Sequence, residues 1–106
     1  MHPRFSLGKT YATPGALALE VDLSAYLRRQ HCGDWGEELC TEDKQANEGA
    51  LVQGTCLLSC YRTTSGDRLS IITEATREIT TLFLPEEYGP VQSACQLVRR
   101  RENGEK

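Results

Sequence analysis

The sequence predicts a single α+β domain: helices mainly in the first half, then a three-stranded antiparallel meander, then a C-terminal helix. Three observations predict it. Cap and stop signals frame apolar residues at helical spacing up to Gly54. Between residues 55 and 84 the pattern changes to β-branched and apolar runs separated by two turn signals. Finally, Pro90 opens a stretch that places Val91, Ala94, Cys95 and Val98 on one helical face. A length of 106 residues suits one domain.

Residues 1–8 and 102–106 carry little pattern and are expected to be mobile. Residues 9–13 read as a short strand or extended lead-in. Thr13 followed by Pro14 is a helix-start signal, because the hydroxyl accepts a free amide and Pro needs none there. Gly15 weakens it. Asp22 offers a second N-cap before a segment in which Leu23, Tyr26, Leu27 and Gln30 or His31 share one face. Arg28, Arg29 and His31 suit the negative end of that helix, and Gly33 stops it. Asp34-Trp35-Gly36 is a turn holding the only Trp. Thr41 reads as the cap of a further helix, with Glu42 and Asp43 in its first turn. Ala46, Ala50 and Leu51 form a modest stripe there, and Gly54 ends it.

Residues 55–62, 69–73 and 79–84 read as strands. Thr64-Ser65-Gly66-Asp67 and Glu74-Ala75-Thr76-Arg77 are the reversals between them, and Pro85 closes the third. Such short connections give an antiparallel meander. Its first or third strand would be an exposed edge, so a homodimer through a sheet edge is expected.

Charge and cysteine usage narrow the function. Twelve Lys and Arg against fifteen Asp and Glu leave a net charge of −3. That balance argues against nucleic acid as a partner, since phosphate binding needs a cationic face. No apolar run approaches the ~18 residues of a membrane span, so no membrane partner is expected. Residues 1–8 lack the apolar stretch of a secretory signal, which predicts a cytoplasmic location. Five cysteines, an odd number, fit reduced thiols better than a disulfide framework. Seven residues separate Cys32 from Cys40 and three separate Cys56 from Cys60. In a strand the latter pair would stand roughly 13 Å apart, too far for one metal. Neither metal nor cofactor is therefore expected.

Five blocks occur in order: Ala12-Thr13-Pro14-Gly15-Ala16-Leu17, Gly33-Asp34-Trp35-Gly36, Glu42-Asp43-Lys44-Gln45-Ala46-Asn47-Glu48, Ile72-Thr73-Glu74-Ala75-Thr76-Arg77, and Thr80-Thr81-Leu82-Phe83-Leu84-Pro85-Glu86-Glu87-Tyr88. Together they resemble a family of small uncharacterised proteins related to plasmids and other bacterial mobile elements. The resemblance spans roughly residues 8–88. Thr76 departs from it, since the family pattern has an acidic residue there; the cysteines and the tail after Tyr88 depart as well. It implies a mobile-element accessory protein and no particular activity.

The residues for catalysis are sparse. His2 and His31 are the only histidines, and neighbouring His31 and Cys32 on a helix do not face each other as a Cys–His pair must. Gly8-Lys9-Thr10 lacks the earlier glycine of a phosphate loop. Six carboxylates between residues 34 and 48 stand against one lysine; they read as a solvated acidic helix start, with Mg2+ binding or nucleic-acid mimicry as sharper alternatives. Arg99-Arg100-Arg101 reads as a dipole complement. The expected function is a non-catalytic binding or interaction module, with a small metal-dependent hydrolase or thiol enzyme as the rival. Its expected site joins two reversals: Asp34 and Trp35 from one, Glu74 and Arg77 from the other. They supply acceptors, apolar area and a forked donor for a protein partner or a small polar ligand. The competing reading makes Trp35 a core plug and Arg77 an ion-pair residue.

Overall fold

The structure is a computed structural model and describes residues 3–87. Strand β1 (Lys9–Ala12) leads into a short helix, α1 (Pro14–Leu17). Helices α2 (Leu23–His31) and α3 (Thr41–Gln53) follow, then strands β2 (Leu57–Arg62), β3 (Arg68–Thr73) and β4 (Ile79–Phe83), and a 3-10 turn at Pro85–Glu87. The C-terminal helix expected from Pro90 onward, Cys95 and the arginine run all lie outside the described residues.

The fold is α+β, but the sheet corrects the three-stranded antiparallel meander. It has four strands in the order β1-β4-β3-β2. β2–β3 and β3–β4 are antiparallel, while β1 runs parallel to β4, pairing Lys9 with Ile79 and Ala12 with Leu82. A parallel neighbour needs a crossover connection, and here the helices and two strands supply it. No local turn signal announces such a pairing.

The helix signals work through the atoms expected of them at two starts. The Thr13 hydroxyl accepts from the Ala16 amide at 3.3 Å, and the Asp22 carboxylate from the Ser24 amide at 3.2 Å. The third start is corrected: the N-cap of α3 is Cys40, which makes no side-chain cap bond, and Thr41 is already helical. Gly54 ends α3 in the left-handed conformation at φ 77°.

Strand alternation turns Leu57, Ser59, Tyr61, Leu69, Ile71, Thr73, Thr80 and Leu82 to one face. There Tyr61, Leu69, Ile71 and Leu82 pack with Ala16 and Tyr26, backed by Leu19, Val21, Leu23 and Leu27. A second cluster joins Trp35, Ala50 and Leu57 with Phe5, Leu39 and Leu51. Through the first core runs a buried polar chain. Gln30 Nε2 donates to Thr73 Oγ1 at 3.1 Å, Thr73 and Thr80 hydroxyls meet at 2.8 Å, and Thr80 Oγ1 donates to the Leu7 carbonyl at 2.7 Å.

Candidate functional site

The two reversals reach one cluster by way of Phe5, in the unpatterned N-terminal stretch. The Arg77 guanidinium lies 5.7 Å from the Phe5 ring centre, and Phe5 stacks on Trp35 at 6.3 Å. Phe5 also meets His31 edge-on at 5.9 Å. The Arg4 amide donates to the His31 carbonyl at 2.8 Å, which sets Phe5 in this position. Residues 3–8, unpatterned in sequence, are thus tied to the body of the domain.

Within this cluster the polar groups are engaged by the protein itself. Trp35 is 5% exposed, and its indole N–H donates to Glu48 Oε2 at 2.9 Å. The same carboxylate takes a two-pronged bond from Arg4 at 3.0 and 2.8 Å. Arg4 first, and then Trp35, hold the Glu48 carboxyl below the usual carboxylate range. Arg77 sits at φ 63°, a left-handed conformation uncommon outside glycine. From there its Nη1 donates to the Thr55 carbonyl at 2.6 Å and the Glu74 carbonyl at 3.1 Å, and its Nη2 to the Ala50 carbonyl at 3.1 Å. The guanidinium thus binds three backbone carbonyls, that of Glu74 among them. Asp34 faces Arg29, whose Nε donates to it at 2.7 Å, and Asp34 Oδ1 caps the Gly36 amide at 3.2 Å.

The segment around Trp35 has a second task, at the outer edge of β2. The Cys60 amide donates to the Trp35 carbonyl, and the Glu38 amide to the Cys60 carbonyl, both at 3.1 Å. Glu37 Oε2 accepts from the Arg62 amide at 2.8 Å. Asn47, fully buried, both accepts from the Leu58 amide at 3.1 Å and donates to its carbonyl at 2.6 Å. So β2 is closed to strand addition, and β4 is covered by β1. Gly36, at φ 96°, makes this closure possible: a Cβ there would overlap the Cys60 carbonyl.

Among the described residues, the edge that stays open is β1. Its Lys9 amide donates to Glu78 at 2.8 Å, and the Thr13 amide to Leu82 at 3.0 Å. In a parallel ladder alternate residues face the neighbour, so Thr10 and Ala12 turn their amides and carbonyls outward. Lys9, Thr10 and Tyr11 are exposed. Beside this edge lies an open cleft of about 580 Å³ lined by Ser6, Lys9, Tyr11, Arg77, Glu78 and Ile79. Its size falls in the range of small-molecule and side-chain sites. At the far end of β1, Glu87 accepts from the Thr13 hydroxyl, the Gly15 amide and the Leu84 amide. Thr13 first, and then the Leu84 amide, keep the Glu87 carboxyl low.

The chain matches no protein-family model, no curated protein and no solved structure.

Of the sequence-read site residues, Arg77 lines the cleft, while Trp35 and Asp34 belong to the packing and edge closure around β2. Glu74 contributes its backbone: its carbonyl accepts from the Arg77 amide at 2.8 Å. Sequence reasoning missed Arg4, Phe5 and Glu48, which hold the cluster, and Tyr11, which fronts the cleft. Phe5 was the available signal, as one of only two phenylalanines in the chain. Among the described residues no group of three or more His, Cys, Asp and Glu is arranged to hold a metal. Cys56 is buried, Cys40 exposed, and Cys32 and Cys60 lie between. No helix of the described residues is long and apolar enough to cross a membrane.

Proposed function

We propose that this chain is a non-catalytic interaction module that docks an extended segment of a partner protein. The observation that carries the reading is the outward-facing backbone of β1 beside the cleft of Lys9, Tyr11 and Arg77. An exposed edge offers paired donors and acceptors to another chain, and pockets beside it select side chains. Closure of β2 by Trp35, Glu37, Glu38 and Asn47 supports it, because docking is then directed to one edge. Lys9 at the cleft favours a segment that brings an acidic or polar side chain. Resemblance to plasmid-related proteins supports a role as an accessory of a bacterial mobile element, acting in the cytoplasm.

Affinity capture from a bacterial cytoplasm, with mass spectrometry of proteins and small molecules, tests the reading when wild type is compared with Thr10→Pro. Proline at position 10 removes an outward amide and leaves the ladder to β4 intact. Partners retained by wild type and lost by the variant are the expected result. Equal retention would move the site elsewhere, and chemical turnover of a captured molecule would replace the module by an enzyme.

A further inference from the structure

We infer that the first occupant of the β1 edge is a second copy of this chain, added antiparallel about a two-fold axis through Tyr11. The inference rests on the docking reading above and names its partner. Four observations lead to it.

The outward groups come first. Thr10 and Ala12 present two amides and two carbonyls, two residues apart. An antiparallel copy centred on Tyr11 sets Thr10 against Ala12 of the partner subunit and Ala12 against Thr10 of the partner subunit. Each pair exchanges two hydrogen bonds, so every outward group of the strand finds a partner. A two-fold axis makes such a contact self-complementary and closed, ending at a dimer.

The second observation is Tyr11, an aromatic residue 53% exposed on a strand. At the axis it stands opposite Tyr11 of the partner subunit in a non-hydrogen-bonded pair, where side chains approach closest and aromatic pairs are favourable.

Charge is the third. The edge is polar along its length: Lys9 lies at its start, and Glu86 and Glu87 lie by its end, where Glu87 is bonded to Thr13. Antiparallel addition brings Lys9 opposite Thr13 of the partner subunit, hence towards the acidic end of that copy. A parallel copy would align like charge with like.

Length is the fourth. Gly8 enters the strand at φ 66° against the Glu78 backbone, and Pro14 follows it without an amide. The usable edge is four residues, enough for this symmetric ladder and too short for a long added strand.

Sedimentation equilibrium of the full chain, from micromolar to millimolar concentration, tests the inference. Wild type should show a reversible monomer–dimer equilibrium. Thr10→Pro should weaken it at least about tenfold, with its thermal midpoint at low concentration unchanged. Lys9→Glu and Glu86→Lys should each weaken self-association, because each sets like charges at both ends of the ladder. Mixed in equal amounts, these two variants should associate again, since the mixed pair restores an opposite-charge contact at both ends. A wild-type chain that stays monomeric throughout overturns the inference, as does a dimer that Thr10→Pro leaves intact. None of these failures touches capture of a different protein sensitive to Thr10→Pro, so the docking reading and the choice of a second copy fail separately.

Discussion

Arg77, in the turn between β3 and β4, closes the C-terminal end of α3 by donating to the Ala50 carbonyl at 3.1 Å. That carbonyl also accepts from the Gly54 and Thr55 amides and sits at the negative end of the helix dipole, where a cation is favourable. The same guanidinium spans the Thr55 carbonyl at 2.6 Å, tying the helix exit to the start of β2. One side chain thus joins the β3–β4 turn to the junction of α3 and β2. These bonds give Arg77 a structural task besides its place in the cleft. Arg77→Ala should destabilise the fold by about 2 kcal/mol, as expected for loss of charge-assisted bonds to backbone carbonyls, those of Ala50 and Glu74 part-buried. Arg77→Lys should recover only a small part, because a single ammonium cannot span both carbonyls. Urea denaturation of the three proteins measures this.

The closure of β2 depends on a glycine and an amide. Gly36→Ala should cost more than about 2 kcal/mol, since it adds a left-handed strain to a clash with the Cys60 carbonyl. Asn47→Ala should cost about 1–3 kcal/mol by leaving the Leu58 amide and carbonyl without these partners. It should also add a phenotype that Gly36→Ala shares, aggregation through a freed strand edge, read by light scattering at elevated concentration.

Glu48 predicts an acid limit. Its folded pKa is depressed by Arg4 first and by Trp35 second. Stability from a depressed carboxylate is fully present above its unfolded value, about 4.3. It is lost as pH falls through the lower folded value. Denaturation midpoints should therefore drop below about pH 4.3 in wild type, and Glu48→Gln should flatten that decline while lowering stability at neutral pH. Half-exposure of both partners screens the Arg4 pair, so high salt should shrink the difference. An identical acid profile in the variant would assign the decline to other carboxylates.

What could be read in the sequence was local. Thr13, Asp22 and Gly54 mark helix ends because cap chemistry acts within a few residues. The cap of α3 slipped by one residue because Thr41 is the better capping type, whereas Cys40 holds the position without a side-chain bond. The parallel pairing of β1 with β4 was hidden: it joins the two ends of the described chain, and Lys9 to Ala12 show only a short extended pattern. Of the candidate site, both reversals were legible as turns. Their partners were not, since Phe5, Glu48 and the Ala50 carbonyl meet them only through the tertiary fold.

The buried chain from Gln30 to Leu7 allows a prediction from proton bookkeeping. Thr80 has one hydroxyl proton, and it goes to the Leu7 carbonyl. The Thr73–Thr80 bond must then be donated by Thr73, whose own proton is thereby used. Thr73 can only accept from Gln30, which fixes the amide with Nε2 toward Thr73 and leaves Gln30 Oε1 buried without a partner. The chain is directional, so its two ends should respond differently. Gln30→Met removes the orphaned oxygen at similar volume, and Thr73 keeps its donation to Thr80; stability should change by less than about 1 kcal/mol and can rise. Thr80→Val strips the part-buried Leu7 carbonyl of its donor and leaves the Thr73 proton without an acceptor in a fully buried site. It should cost about 1–3 kcal/mol, the usual penalty for one buried orphaned group, here the Thr73 hydroxyl. Chemical denaturation of both variants decides the matter. Equal losses would show that the chain does not run in this direction.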